Sequence, residues 1–292
     1  MNCIAFLRAI VRRNAAVLRL ATVGVGALLC LDGDRVAAQG VQSSNITYPI
    51  PGGGSVVRGT LKLPSGTIPV PAVVLLHGSA GIDGRGAYHA EALHAAGIAT
   101  LEIEMFRRSE RPDNLRATLP HAFGALNYLA ERPEIDPARI GAMGFSWGGG
   151  LSILLNSRNQ GLQPDKPGRR FAASVAFYPS CYVFTPVAAR PYTISPMTPL
   201  LVLAGEKDDY DRPDTCPKFR EHLGAAFAER VTVHVFPGAT HKWDGPGSES
   251  FFDSVANLGR GGQVTVRADR QVAEQSRQMS VDFFRKAFTS AN

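Results

Sequence analysis

Residues 139–156 read RIGAMGFSWGGGLSILLN, and this stretch decides the fold. Arg139 to Phe145 is a short apolar run of strand type, and Gly148 to Asn156 has the pattern of a buried helix. Between them lies Gly144-Phe145-Ser146-Trp147-Gly148, a G-x-S-x-G pattern at a strand-to-helix junction. A serine held above a sheet in this way needs a turn so sharp that its own backbone is strained. Side chains at the flanking positions would collide with the neighbouring strand and helix, so glycine is required there. In a chain with 30 glycines five such residues can also arise by chance. The strand-turn-helix context is what separates the two readings.

Working outward, short β-branched runs alternate with Ala-rich amphipathic stretches, which implies βαβ units around a mostly parallel central sheet with helices on both faces. Strands are expected at Val56–Leu63, Ala72–His77, Ile98–Ile103, Arg139–Phe145, Ala172–Phe177, Leu200–Leu203 and Val231–Phe236. Helices are expected at Gly86–Ala96, Leu115–Glu131, Gly148–Asn156, Pro217–Glu229 and Arg270–Phe288. Val73 to Leu76 and Leu200 to Leu203 are continuous apolar runs, the pattern of central strands covered on both faces. Two segments fit neither period, Pro179–Pro199 and His241–Gly262. Each follows a strand, where open α/β sheets bind ligands, so both are expected to wall a pocket.

The first forty residues differ from the rest. Arg8, Arg12, Arg13 and Arg19 precede an apolar run from Leu20 to Leu31, and Val36-Ala37-Ala38 stand before Gln39. That is the pattern of a secretory signal peptide over residues 1–38, followed by a single domain over 39–292. A membrane anchor fits less well, because about a dozen residues at ~1.5 Å each fall short of a ~30 Å hydrocarbon layer. Arg12-Arg13 leaves the export route open between the general and twin-arginine pathways. Removing residues 1–38 takes five Arg and two Asp, which lowers the net charge from +6 to +3. No basic cluster interleaved with aromatics remains, so nucleic acid is excluded as the expected partner. Of the four cysteines only Cys181 and Cys216 lie in the mature chain. In an oxidising compartment, in loops that would meet above the sheet, they are expected to pair as a disulfide. No Cys/His spacing of metal-binding type exists, and neither a metal nor an organic cofactor is implied.

A serine hydroxyl needs a base to take its proton and an acid to orient that base. After Ser146 the sequence offers His222, His234 and His241. The first sits in a helical pattern and the second inside a strand; His241 lies just past a strand end, in Pro237-Gly238-Ala239-Thr240-His241, and is the expected base. Past Leu203 the chain runs Ala204-Gly205-Glu206-Lys207-Asp208-Asp209. Asp208 is preferred as the acid, Asp209 is its rival, and Glu206 ranks third. Donors for an oxyanion would be the backbone N–H groups of Ser79, in His77-Gly78-Ser79-Ala80-Gly81, and of Trp147 after the nucleophile. His77 reads as structural.

With these residues in place, the chain resembles an α/β-hydrolase of the dienelactone hydrolase-like group across essentially the whole mature sequence. The resemblance rests on His77-Gly78, Gly144-Phe145-Ser146-Trp147-Gly148, Gly205-Glu206-Lys207-Asp208 and Pro237-Gly238-Ala239-Thr240-His241. Its namesake enzymes carry a cysteine nucleophile, whereas residue 146 is serine, so a serine esterase is the better inference than action on dienelactone.

The expectation is therefore an exported, periplasmic or secreted serine hydrolase of a small-molecule carboxylic ester or lactone, without a stable membrane anchor after cleavage. A peptidase or amidase on the same fold is the rival enzyme, and a binding protein with a fossil triad is the rival of another class. Arg107 and Arg108, following the strand that ends at Ile103, are expected near the pocket rim as partners for a substrate carboxylate. Trp243 is a candidate for the pocket wall, as are Trp147, Phe106, Tyr182 and Phe184.

Overall fold

The computed structural model describes residues 40–158, 169–186, 188 and 192–290. The leader expected over residues 1–38 lies outside the described residues. In chain order the elements are β1 Val41–Pro49, β2 Val56–Pro64, β3 Val70–Leu76, α1 Arg85–Ala95, β4 Ala99–Glu104, α2 Leu119–Ala130, β5 Ile135–Phe145 and α3 Trp147–Leu155. There follow β6 Ser174–Phe177, β7 Leu200–Gly205, α4 Thr215–His222, α5 Ala225–Ala228, β8 Val231–Phe236, β9 Glu249–Asp253, α6 Ala256–Gly259, β10 Gly262–Val266 and α7 Arg270–Thr289.

The run Val73 to Leu76 explains the layering. Successive strand residues point to opposite faces, so Val74 and Leu76 join one apolar cluster with Leu126 of α2 and Leu151 of α3. Val73 and Leu75 join a second cluster with Leu93 of α1 and Phe284 of α7. Helices thus cover both faces of an eight-stranded sheet ordered β1-β2-β4-β3-β5-β6-β7-β8. The β1 and β2 pairings are antiparallel, and every pairing from β4 through β8 is parallel. The carboxyl ends of β3, β5, β6, β7 and β8 therefore open on the same edge, which is where a site can be assembled.

Several elements depart from the sequence reading. β1 was not anticipated, because VQSSNITYP is mostly polar and exposed along most of its length. It is held by its register with β2 and, at its end, by Ile46 and Tyr48, which pack on the core beside α2. β7 lies one place from the sheet edge, although Leu201 and Leu203 face one cluster and Leu200 and Val202 the other. The helix expected from Leu115 opens as a 3-10 turn, Leu115–Thr118, before α2 starts with Pro120 in its first turn. The helix expected over Pro217–Glu229 is split into α4 and α5 by Gly224, whose φ of 72° no continuing helix accepts. The segment His241–Gly262 contains β9, which pairs with β10 as a two-stranded hairpin.

Candidate active site

Ser146 stands between β5 and α3 with φ 54° and ψ −109°. That conformation is costly for a residue with a Cβ, on the order of 1–3 kcal/mol, and persists only where the surroundings enforce it. Here Ser146 N donates to the Phe177 carbonyl at 3.0 Å, and Gly150 N donates to the Ser146 carbonyl at 2.9 Å. The flanking glycines are compulsory. A Cβ on Gly144 would be driven into the Gly148 carbonyl, and one on Gly148 into the Leu76 carbonyl of β3.

His241 follows β8 after a turn through Gly238 and is buried. Its Nε2 lies 2.9 Å from Ser146 Oγ, and its Nδ1 lies 2.8 Å from Asp208 Oδ2. The other Asp208 oxygen accepts from Tyr210 N at 3.0 Å. Asp209, the rival acid, is turned toward the hairpin, where Oδ2 accepts from Thr265 N at 2.7 Å. Glu206 accepts from Gly238 N at 2.8 Å. His222 is exposed on α4 and His234 packs against Phe236 on β8; neither approaches the serine. An Nδ1–H held by a carboxylate leaves Nε2 with a lone pair for the serine proton, the arrangement general-base activation requires.

Ser79 and Trp147 border the same cavity as Ser146, a space of ≈ 330 Å³. A Cβ on Gly78 would lie 3.3 Å from the Phe145 carbonyl and 3.6 Å from the Ser146 Cβ. The loop carrying Ser79 thus runs directly beside the elbow. Trp147 is the first residue of α3, and the first amides of a helix have no partner within it. Ser79 and Trp147 thus both stand next to Ser146, one on the loop after β3 and the other at the start of α3. His77 holds the loop from beneath: Nδ1 donates to the Gly78 carbonyl at 2.8 Å and Nε2 accepts from Met105 N at 2.9 Å. Burial lowers its pKa, which keeps it in that neutral role.

The expected arginines are not brought to the cavity. Arg107 is exposed and lies 3.7 Å from Glu104 Oε1, and Arg108 opens the exposed 3-10 turn Arg108–Glu110. Arg111, just past that turn, is the arginine that borders the cavity, with its guanidinium 5.8 Å from the Trp147 ring centre. Trp243 is not a wall residue either. It is buried, donates from Nε1 to Ser276 Oγ at 3.1 Å, and packs beneath Tyr178 and Phe236. Phe106 and Phe184 are buried packing as well, while Tyr182 borders the cavity.

Other residues at the site have no motif to announce them. Tyr178 and Tyr210 flank the His241 ring, at 4.8 and 4.5 Å between centres. The Tyr178 hydroxyl donates to Asp244 Oδ1 and accepts from Arg85 Nη1 at 2.9 Å, and Asp244 Oδ2 lies 2.8 Å from His89 Nε2. Burial pushes the Tyr178 pKa well above the ordinary phenol value, so this hydroxyl stays protonated. The only signal for the two tyrosines was position, each standing just after a strand.

Cys181 and Cys216 are joined by a disulfide. Beside it, Asp211 accepts from Cys181 N and from Tyr182 N, the latter at 3.1 Å. Burial pushes the Asp211 carboxyl up to about 8, with neighbouring Asp208 adding to the effect and the two amides opposing it. Cys181, Asp211 and Cys216 are the group of metal-type donors among the described residues, and the sulfurs are bonded to each other. No helix among the described residues is long and apolar enough to cross a membrane.

Residues 57–288 match the dienelactone hydrolase family. The chain belongs to that family. A putative dienelactone hydrolase from Klebsiella pneumoniae superposes with a TM-score of 0.60 at 18% identity, over 84% of this chain and 98% of that one. The apo form of Thermogutta terrifontis esterase 2 superposes with a TM-score of 0.62 at 16% identity, over 84% and 94%. These likenesses place the family member in the α/β-hydrolase fold. Curated relatives include rat acyl-coenzyme A thioesterase 1, 30% identical over 136 residues, and human mitochondrial acyl-coenzyme A thioesterase 2, 32% identical over 107 residues. The matched stretch spans 45% of this chain in the first and 36% in the second, but only 32% and 22% of those proteins.

Proposed function

We propose that this family member is an exported serine hydrolase that cleaves a carboxylic ester or lactone through an acyl-enzyme. The observation that carries the reading is the position of His241, within hydrogen-bond reach of Ser146 Oγ on one nitrogen and of Asp208 on the other. In the first step Oγ attacks the carbonyl carbon while His241 Nε2 takes the hydroxyl proton. The carbonyl oxygen becomes an oxyanion facing the N–H groups of Ser79 and Trp147. Collapse breaks the bond to the alkoxy oxygen, which leaves with the proton from His241. Water then repeats the sequence on the acyl-serine and releases the acid. Asp208 accepts from Nδ1–H and fixes the imidazole tautomer. Export with removal of residues 1–38 is supported by the leader pattern and by the disulfide, a bond of oxidising compartments.

A thioester is the second reading, favoured by the thioesterase relatives; the steps are the same, with the sulfur taking the proton from His241 and leaving as a thiol. The test is a fluorophosphonate probe and p-nitrophenyl acetate on wild type and Ser146→Ala. Wild type is labelled and turns over; the variant is unlabelled and retains at most the ~1000- to 10,000-fold over water that donors and binding supply alone. Near-normal activity in Ser146→Ala would overturn the proposal. Comparison of p-nitrophenyl acetate with acetylthiocholine separates the two ester classes.

A further inference from the structure

The cavity above Ser146 is lined by four aromatic side chains, Trp147, Tyr182, Tyr192 and Tyr210, beside aliphatic and charged ones such as Val183 and Arg111. Three of them have their polar atoms committed to the protein. Trp147 Nε1 donates to Thr118 Oγ1 at 3.2 Å, the Tyr182 hydroxyl to the Val255 carbonyl at 3.3 Å, and the Tyr210 hydroxyl to Asp253 Oδ2 at 2.7 Å. What these rings can still offer a ligand is carbon and π-electron surface. Tyr192 is held in place by the Arg116 guanidinium, 5.1 Å from its ring centre, and by Phe184, 5.8 Å between rings. Its backbone N–H donates to the Val183 carbonyl at 2.9 Å. A cavity meant for a plain alkyl chain needs only aliphatic walls. Ring walls with their polar tips tied back instead favour a flat, polarisable group, because offset or edge contacts between rings add attraction beyond the area they bury.

We infer that the substrate of this site is an ester bearing an aryl group, seated between the faces of Trp147, Tyr182, Tyr192 and Tyr210 while Ser146 attacks its carbonyl. The inference rests on the serine-hydrolase reading, and the test separates the two. Methyl phenylacetate is compared with methyl cyclohexylacetate, and benzyl acetate with cyclohexylmethyl acetate. Each pair has the same ring size and carbon count, and a methylene insulates the ring from the reacting carbonyl or alkoxide. After division by the rate with hydroxide, kcat/KM for the aryl member exceeds its saturated partner by about 3- to 10-fold in at least one pair. In Tyr192→Leu and Tyr182→Leu that ratio falls by about twofold or more, the loss expected when one ring contact is removed.

Ratios below 2 in both pairs for the wild type would overturn the inference while hydrolysis of p-nitrophenyl acetate kept the esterase reading. A ratio unchanged in both leucine variants would overturn it too. Were p-nitrophenyl acetate not hydrolysed at all, the esterase reading would fall, and binding would decide the aryl site. Tryptophan fluorescence of the full protein would then respond to methyl phenylacetate at severalfold lower concentration than to methyl cyclohexylacetate, and equal responses would end the inference.

Discussion

Replacing Asp208 by asparagine changes one atom, and the structure dictates where that atom goes. Oδ1 of Asp208 accepts from Tyr210 N at 3.0 Å, and Oδ2 faces His241 Nδ1 at 2.8 Å. The asparagine carbonyl must stay on the Tyr210 side, because an amide NH₂ there would confront a backbone donor with another donor. The NH₂ then points at Nδ1 and forces that nitrogen to be the acceptor. The ring proton moves to Nε2, directed at Ser146 Oγ, and the serine has no base. In a Ser-His-Asp protease the same tautomer error lowers kcat by ~10,000-fold with the geometry intact, which corresponds to about 5.5 kcal/mol of barrier. Steady-state hydrolysis of p-nitrophenyl acetate should therefore show kcat down by three to four orders of magnitude and KM nearly unchanged. Calorimetry should show a folded protein. In Asp209→Asn the new carbonyl can still accept from Thr265 N, so activity should fall less than about threefold, within the range of one weakened hydrogen bond. Activity within tenfold of wild type in Asp208→Asn, or greater damage in Asp209→Asn, would refute the assignment of the acid.

Two further outcomes follow from the surroundings of the same loop. Cutting the bridge with Cys181→Ser and Cys216→Ser opens a loop of 35 residues, which in the chain-entropy model costs about 4 kcal/mol and lowers the melting temperature by roughly 8–15 °C for a domain of this size; a fall under 2 °C would contradict it. Asp211, whose carboxyl is pushed up to about 8 in the folded protein, binds its proton more tightly there than in the unfolded chain. Its contribution to stability is therefore complete below about pH 4 and is lost as the pH rises toward 8. Melting temperature followed from pH 5 to 9 should decline in wild type with a slope that flattens in Asp211→Asn, and equal slopes would dismiss Asp211 as its source.

The elements that could be read from sequence are those in which the residue pattern and the physical demand coincide. Gly144 and Gly148 are glycines because backbone carbonyls occupy the places of their side chains, and Val73 to Leu76 is apolar throughout because it touches both clusters. β1 could not be read, since it is an edge strand that is mostly polar and exposed and buries only its last apolar residues, Ile46 and Tyr48. The hairpin of β9 and β10 was hidden in a Gly- and Ser-rich stretch, with Phe252 exposed rather than packed. Arg107 and Arg108 stand off the cavity and Arg111 borders it, a placement that no pattern before the 3-10 turn after β4 reveals. The choice between Asp208 and Asp209 depends on two amides, Tyr210 N and Thr265 N, that no local pattern reveals.

Four consecutive residues after β7 each reach a different part of the molecule: Asp208 to His241, Asp209 to β10, Tyr210 to Asp253, and Asp211 to the amides of Cys181 and Tyr182. Such a segment stores its information in spacing as much as in residue type. Deleting or inserting one residue within 208–211 would rotate every later side chain onto its neighbour's partner, offering a carboxylate where a phenol is needed and a phenol where two amides await. Length variation is thus barred across these four positions. It becomes affordable immediately afterwards at Arg212 to Asp214, which lie exposed at the surface before α4 begins.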